Sequence, residues 1–175
     1  MRVKDKEFKK FIKKKAIQKK VKKLASRINE DYKDKNPLFI GILNGAFMFA
    51  SDLMKEVNIP SEISFIRVKS YDKTDSTGKM KKILGLEETI KGRHIIVIED
   101  IVDTGFTIAE IMDEIKSGEP QTLEIVTVLF KPNALKKKLP LKYVGFEIPN
   151  EFVVGYGLDY DGYGRNLKDI YQIKD

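Results

Sequence analysis

His94-Ile95-Ile96-Val97-Ile98-Glu99-Asp100-Ile101-Val102-Asp103-Thr104-Gly105-Phe106-Thr107 is the stretch that decides how the rest of the chain reads. His94 to Ile98 carry four consecutive aliphatics, too short and too branched a run to prefer a helix. They read as a strand buried on both faces, as in a parallel sheet. Two carboxylates follow at once, Asp103 comes three residues later, and then Thr-Gly-Phe-Thr. Beyond these, Ile108, Ile111, Met112 and Ile115 recur at helical spacing up to Gly118. The order is strand, acidic loop, helix.

Such a loop offers two opposite kinds of site. Thr104 and Thr107 can cap the helix, and Gly105 lets the backbone turn so that several N–H groups face one point. With the helix dipole they make an anion pocket sized for a phosphate. Glu99 and Asp100 instead accept hydrogen bonds from hydroxyls or help hold a hard cation such as Mg²⁺. Asp103 lies between the two. A ribose 5-phosphate with a bound metal satisfies all three. The plainer reading, solvated loop acids and a threonine that only caps a helix, accounts for each residue singly but not for the combination. The chain has no Gly-x-x-x-x-Gly-Lys-[Ser/Thr] loop, and its acids lack EF-hand spacing.

Outward from this stretch, composition narrows the class. A chain of 175 residues is expected to form one domain, residues 1–175, with a substantial core. The absence of cysteine rules out disulfides, thiolate metal sites and a cysteine nucleophile. No apolar run approaches the roughly 18 residues of a membrane span, and the N-terminus lacks a signal-peptide core, so a soluble cytoplasmic protein with no membrane partner is expected. The one histidine, His94, reads as a strand residue rather than a catalyst. The net charge of +7 is uneven: residues 1–27 hold 13 Lys or Arg against Asp5 and Glu7, which leaves the remainder net acidic. That basic block suggests nucleic acid or a membrane surface. Ala16, Ile17, Val21, Leu24, Ala25 and Ile28, however, form an apolar stripe at helical spacing with lysines opposite. A solvated amphipathic helix without specific nucleic-acid affinity is the expectation.

The remaining elements alternate. Phe8, Phe11 and Ile12 fit either that helix or a short strand before it. The helix runs from about Lys14 to Tyr32, before Asn36-Pro37. Leu38–Leu43 is a buried strand that turns at Asn44-Gly45 into a helix, Ala46 to about Val57. Ile63–Val68 is a strand, followed by a polar run from Lys69 to Lys79 with no apolar face, the composition of a functional lid. A short strand Ile83–Leu86, a strand Thr122–Phe130 ending at Lys131, a strand Tyr143–Ile148 and an edge strand Ile170–Ile173 follow. Strands alternating with helices predict an α/β protein with a mainly parallel sheet flanked by helices, and ligands at the strands' carboxyl ends. Asn44-Gly45, Glu99 to Thr107 and Lys131 all fall at that edge.

With those segments laid out, a resemblance becomes specific. Leu43-Asn44-Gly45-Ala46-Phe47-Met48-Phe49, Lys69-Ser70-Tyr71 with Ser76-Thr77-Gly78, the acidic motif, and Val144-Gly145-Phe146-Glu147-Ile148-Pro149 through Asp159-Tyr160 occur in this order in hypoxanthine-guanine phosphoribosyltransferases. The similarity runs from about residue 8 to the C-terminus and is strongest to the bacterial type. It implies the type I phosphoribosyltransferase fold, with a small hood from the N- and C-terminal segments. It also implies purine salvage: transfer of phosphoribose from phosphoribosyl pyrophosphate to a 6-oxopurine, hypoxanthine and guanine, releasing pyrophosphate, with Mg²⁺ and as a homodimer or homotetramer.

Carried over residue by residue, the resemblance has Glu99 and Asp100 hold the ribose hydroxyls and, with Asp159, the metal. Asp103 faces a purine ring nitrogen as the catalytic proton carrier. Asp103, Thr104, Gly105, Phe106 and Thr107 wrap the 5-phosphate. Lys131 donates to the 6-oxo group, Phe152 stacks on the ring and Val153 contacts it through its backbone. Leu43, Asn44, Gly45 and Arg165 hold pyrophosphate, and Ser70 and Tyr71 sit on a closing lid. Many relatives carry lysine where this chain has Asn44, so pyrophosphate contact there rests on backbone amides or the asparagine. Some have an arginine a few residues past the purine-contacting lysine, where this chain has Lys136-Lys137-Lys138. The alternatives are a phosphoribosyltransferase for another base, such as xanthine, and a phosphoribosyltransferase-like regulator that binds nucleic acid. The complete set of acids favours catalysis.

Overall fold

The computed structural model describes residues 1–69, 81–84 and 88–174. Within them the chain forms β1 (Arg2–Val3), β2 (Lys6–Ile12), α1 (Lys14–Asp31), β3 (Leu38–Leu43), α2 (Phe47–Glu56), β4 (Glu62–Lys69) and β5 (Lys81–Leu84). These are followed by β6 (His94–Val102), α3 (Phe106–Ser117), β7 (Thr122–Phe130), β8 (Leu141–Glu147), β9 (Val153–Val154) and β10 (Ile170–Ile173). The expected alternation is present. Ser70, Tyr71 and the rest of the polar run to Lys79 lie outside the described residues, as does the second half of the expected strand Ile83–Leu86.

The main sheet has the order β5-β4-β3-β6-β7-β8. β4, β3, β6, β7 and β8 run parallel, and β5 joins antiparallel at one edge. The chain therefore leaves β3 toward one edge and β6 toward the other, so β3 and β6 flank the topological switch point. Their carboxyl ends carry the Asn44-Gly45 turn and the acidic motif, and ligands of open α/β sheets bind at that position.

Helices cover both faces because these strands are apolar on both. Ile17, Val21, Leu24 and Ile28 of α1 and Phe49, Ala50 and Leu53 of α2 pack against Ile96, Ile98, Val126 and Val128. Ile108, Ile111, Met112 and Ile115 of α3 pack against Ile95, Val97 and Ile125 on the other side. Ala16, grouped with the stripe of α1 by its spacing, is exposed instead.

Phe8, Phe11 and Ile12 belong to a strand, which decides a question periodicity left open. β2 pairs with β1 and β10, and β10 with β9, into a four-stranded antiparallel sheet built from both ends of the chain. This sheet forms a hood with its own small core of Val3, Phe8 and Val154. Helix α1 follows with no side-chain cap from Lys13. Asp169, just before β10, takes that role: its Oδ1 accepts the Lys14 N–H at 2.6 Å. A helix start left open locally is closed by the hood.

Candidate active site

β6 is longer than its aliphatic run. It extends through Val102, so Glu99 and Asp100 lie in the strand and not in a loop after it. The strand's alternation slips there. Ile96 and Ile98 face α1 and α2, Ile95 and Val97 face α3, yet Ile101 lies with the first group and Val102 with the second. Strict period-two alternation would have exchanged those last two. β7 slips at the same level, with Val126, Val128 and Leu129 on one side and Ile125 and Phe130 on the other. The two strands stay paired, Glu99 with Thr127 and Ile101 with Leu129.

The slip brings two successive carboxyl groups together at the strand's end. Asp100 is buried, and its Oδ1 accepts the Ile101 N–H at 2.8 Å. Burial first, and the adjacent Asp100 charge second, push the Glu99 carboxyl well above the usual carboxylate range. Such a pair favours a cation or hydroxyl donors beside it. Among the described residues, no three His, Cys, Asp or Glu side chains gather closely enough to hold a metal by themselves. Glu99, Asp100 and Asp159 are therefore not one three-carboxylate cluster. Mg²⁺ keeps several waters and substrate oxygens in its shell and takes one or two carboxylates, so the oxygen donors of Glu99 and Asp100 fit it.

After β6 the chain turns at Gly105, whose φ of +84° is left-handed, and starts α3 at Phe106. Gly105 is the N-cap, with no side-chain cap bond, so neither Thr104 nor Thr107 caps the helix. The first-turn N–H groups of α3 have no intrahelical acceptor and remain available to an anion. Phe106 and Thr107 are exposed at this turn. Leu135 and Leu139 pack onto Gly105, 2.9 and 3.2 Å from where a Cβ would lie. The Lys136 N–H donates to the Thr104 carbonyl at 2.9 Å, and the Lys137 ammonium sits 5.5 Å from the centre of the Phe106 ring. The segment after Lys131 thus braces the loop, a role its lysine-rich composition does not announce.

Two distant segments meet the motif directly, and a third reaches it through Gly45. Lys131, at the end of β7, is buried, and its Nζ donates to Asp103 Oδ2 at 2.7 Å. The Leu43–Asn44 peptide is cis, Asn44 is exposed, and Gly45 packs so closely on the Asp100 carboxylate that a Cβ would collide with it. Gly157 (φ +101°) in turn abuts the Gly45 carbonyl with no room for a side chain. From the same loop, Arg165 Nη1 donates to the Gly157 carbonyl at 2.8 Å, and Nη2 lies 2.7 Å from Asp159 Oδ1. The Gly162 N–H donates to the other Asp159 oxygen at 2.6 Å.

In the hood, the exposed Phe152 ring packs on Phe8 at 6.3 Å and on Tyr160 at 5.8 Å, edge-on to the latter. Val153 is buried and pairs with Gln172. His94 is a strand residue, its Nδ1 2.9 Å from Thr122 Oγ1. Gly157 and Tyr156 were not singled out from sequence as site residues. The alternation of glycines at 155, 157, 162 and 164 was the available signal, since all four adopt positive φ.

A family model for the phosphoribosyl transferase domain matches residues 9–161. Over 159 residues the chain is 42% identical to the hypoxanthine-guanine phosphoribosyltransferase of Bacillus subtilis, covering 90% of this chain and 88% of that one. Over 157 residues it is 40% identical to the hypoxanthine phosphoribosyltransferase of Haemophilus influenzae, covering 87% and 88%. The chain belongs to the hypoxanthine-guanine phosphoribosyltransferase family. A hypoxanthine phosphoribosyltransferase crystal structure from Staphylococcus aureus superposes with a TM-score of 0.87 at 40% identity, over 95% of this chain and 91% of that one. A hypoxanthine-guanine phosphoribosyltransferase from Bacillus anthracis, with HEPES in its active site, gives 0.86 at 37% identity over 95% and 97%. Among the described residues, no helix is long and apolar enough to cross a membrane.

Proposed function

We propose that this member of the family transfers the phosphoribosyl group of phosphoribosyl pyrophosphate to hypoxanthine and guanine in cytoplasmic purine salvage, releasing pyrophosphate. The observation that carries this reading is the Lys131–Asp103 pair at the carboxyl edge of the sheet, beside the acidic motif. It supplies a donor and a carboxylate at adjacent points of a ligand, and a 6-oxopurine offers an oxo acceptor next to a ring nitrogen.

In this reading the N–H groups from Asp103 to Thr107 bind the 5-phosphate, and Glu99 and Asp100 orient the ribose hydroxyls. The Leu43-Asn44-Gly45 turn and Arg165 hold the pyrophosphate. As the anomeric C–O bond breaks, positive charge grows on the sugar and negative charge on the leaving group, which Arg165 stabilises. Asp103 exchanges the proton at the purine ring nitrogen. Lys131 fixes the 6-oxo group, Phe152 stacks on the ring and the Val153 backbone lines its edge. Glu99 and Asp100, with Asp159 on the pyrophosphate side, would hold Mg²⁺, which when bound neutralises charge on the pyrophosphate. Ile63 and Phe65, exposed on one face of β4, support a homodimer or homotetramer in which they are covered.

Steady-state assays with hypoxanthine, guanine, xanthine, adenine and uracil, following pyrophosphate release with and without a chelator, test the reading. Turnover of hypoxanthine and guanine that needs Mg²⁺ is expected. Turnover of uracil alone would overturn it.

A further inference from the structure

Tyr156 lies between two glycines in the loop that leads from the hood to Arg165. Its ring is 2% exposed, and its own φ is +52°, a left-handed value rare for a tyrosine. Its hydroxyl donates to Asp52 Oδ2 at 2.9 Å. Asp52 stands in the second turn of α2, and its other oxygen is taken by Lys55 Nζ at 3.1 Å. Burial first, and the Asp52 charge second, raise the Tyr156 hydroxyl above its ordinary range, so it stays a donor. The Tyr156 N–H is committed too, to the Leu167 carbonyl at 2.8 Å.

What this side chain ties together is specific. α2 begins two residues after Gly45. The residue after Tyr156 is Gly157, which touches the Gly45 carbonyl and whose own carbonyl holds Arg165. The Gly157 N–H donates back to the Arg165 carbonyl at 3.0 Å. One half-buried hydrogen bond therefore anchors the loop bearing Asp159 and Arg165 to the helix that grows out of the Asn44-Gly45 turn.

We infer that Tyr156 and Asp52 are positioning residues for the pyrophosphate end of the substrate, holding Arg165 and the Gly45 turn at a fixed separation through the Tyr156–Asp52 hydrogen bond. The inference rests on the proposed reading of Arg165 and Gly45 as pyrophosphate contacts. Neither Tyr156 nor Asp52 needs to touch substrate. Their effect falls on phosphoribosyl pyrophosphate and spares the purine, whose proposed contacts sit just past β6 and β7 and in the hood.

The test is a KM split in five variants, with thermal midpoints recorded alongside. Tyr156→Phe and Asp52→Ala are each expected to raise KM for phosphoribosyl pyrophosphate by about tenfold, the scale of a lost hydrogen bond to a charged group, with KM for hypoxanthine within about twofold. Asp52→Asn keeps an acceptor oxygen and should recover most of the loss seen in Asp52→Ala. The double variant Tyr156→Phe/Asp52→Ala should be no worse than either single change. A lower thermal midpoint with both KM values unchanged, or an equal rise in both, would overturn the inference. Arg165→Ala separates the two levels. If it raises KM for phosphoribosyl pyrophosphate while Tyr156→Phe does not, only the positioning role falls. If Arg165→Ala leaves that KM unchanged, the reading of Arg165 itself falls.

Discussion

Lys131 and Asp103, 28 residues apart, form an ion pair at 2.7 Å in which the lysine side chain is 10% exposed and the carboxylate 44%. The pair has a second counterpart in Arg165 and Asp159. Both basic side chains proposed to meet substrate thus rest against carboxylates of the same site. A buried ammonium without a partner is costly, and Asp103 supplies the Lys131 Nζ with one and fixes its direction. In the proposed reading, a 6-oxopurine would take one of the ammonium's three donor positions.

Asp103→Asn removes the proposed proton acceptor and leaves in place the backbone proposed to bind phosphate. The expected result is a fall in kcat of about 10²-fold or more with KM for phosphoribosyl pyrophosphate little changed. Single-turnover rates check it, because slow product release would hide a loss in the chemical step. An unaltered single-turnover rate removes Asp103 from proton transfer.

The proposed role of Lys131 as the base-reading residue predicts which base is used. Hypoxanthine and guanine present an oxo acceptor at position six, whereas adenine presents an amino group, leaving the ammonium facing a second donor. Sites built on one such hydrogen bond discriminate by roughly 10⁴, so adenine should have a kcat/KM lower than hypoxanthine by about that factor. Xanthine keeps the oxo group and is not excluded by Lys131. Comparable values for adenine and hypoxanthine would sink the assignment.

Gly157 and Gly92 separate crowding from backbone strain. Both have left-handed φ, +101° and +71°, but a Cβ at Gly92 meets nothing within 4 Å while one at Gly157 strikes the Gly45 carbonyl. Gly92→Ala should cost about 1 kcal/mol through backbone strain alone. Gly157→Ala should cost about 3 kcal/mol or more and weaken phosphoribosyl pyrophosphate binding as well. Denaturant midpoints and KM values measure the two effects, and equal destabilisation would show that the Gly157–Gly45 contact is soft.

Asp169 offers a pH test. Its carboxyl is held below the ordinary value of 3.8 by the Lys10 ammonium first, 2.6 Å away, and then by the Lys14 N–H. A depressed folded value means the stabilisation is complete above about pH 4 and is lost as pH falls through the lowered value. Asp169→Ala should therefore lose about 1 kcal/mol at neutral pH, the cost of a missing helix cap. Parent and variant stability curves should converge in acid. A constant gap down to pH 2 would mean that the carboxylate's charge is not what matters.

Much of this protein is local in origin and was legible as such. The run Ile95 to Ile98 is apolar on both faces, and the spacing of Ile108, Ile111, Met112 and Ile115 is helical. Together with the same signals around Leu38–Leu43 and Thr122–Phe130, they specify a parallel sheet with helices on both faces, because hydrophobic period follows from backbone geometry. Asp103, Gly105 and Lys131 fall just past strand ends for the same reason, whereas Glu99 and Asp100 lie inside β6. Phe8, Phe11 and Ile12 did not resolve, since three apolar residues in a lysine-rich segment fit either period. Only β10, arriving from the other end of the chain, makes them a strand.

What the tertiary structure alone decided are the pairings between residues far apart in sequence. Asp169 closes the start of α1 from 155 residues away, Asp52 receives Tyr156 from 104, and Gly45 is squeezed between Asp100 and Gly157. The phase slip of β6 and β7 belongs here too, because it is visible only against the helices on either side. Sequence period records which face a residue turns to the core. It carries no information about which distant carboxylate, carbonyl or hydroxyl will stand opposite, since that depends on how the chain crosses at the switch point between β3 and β6.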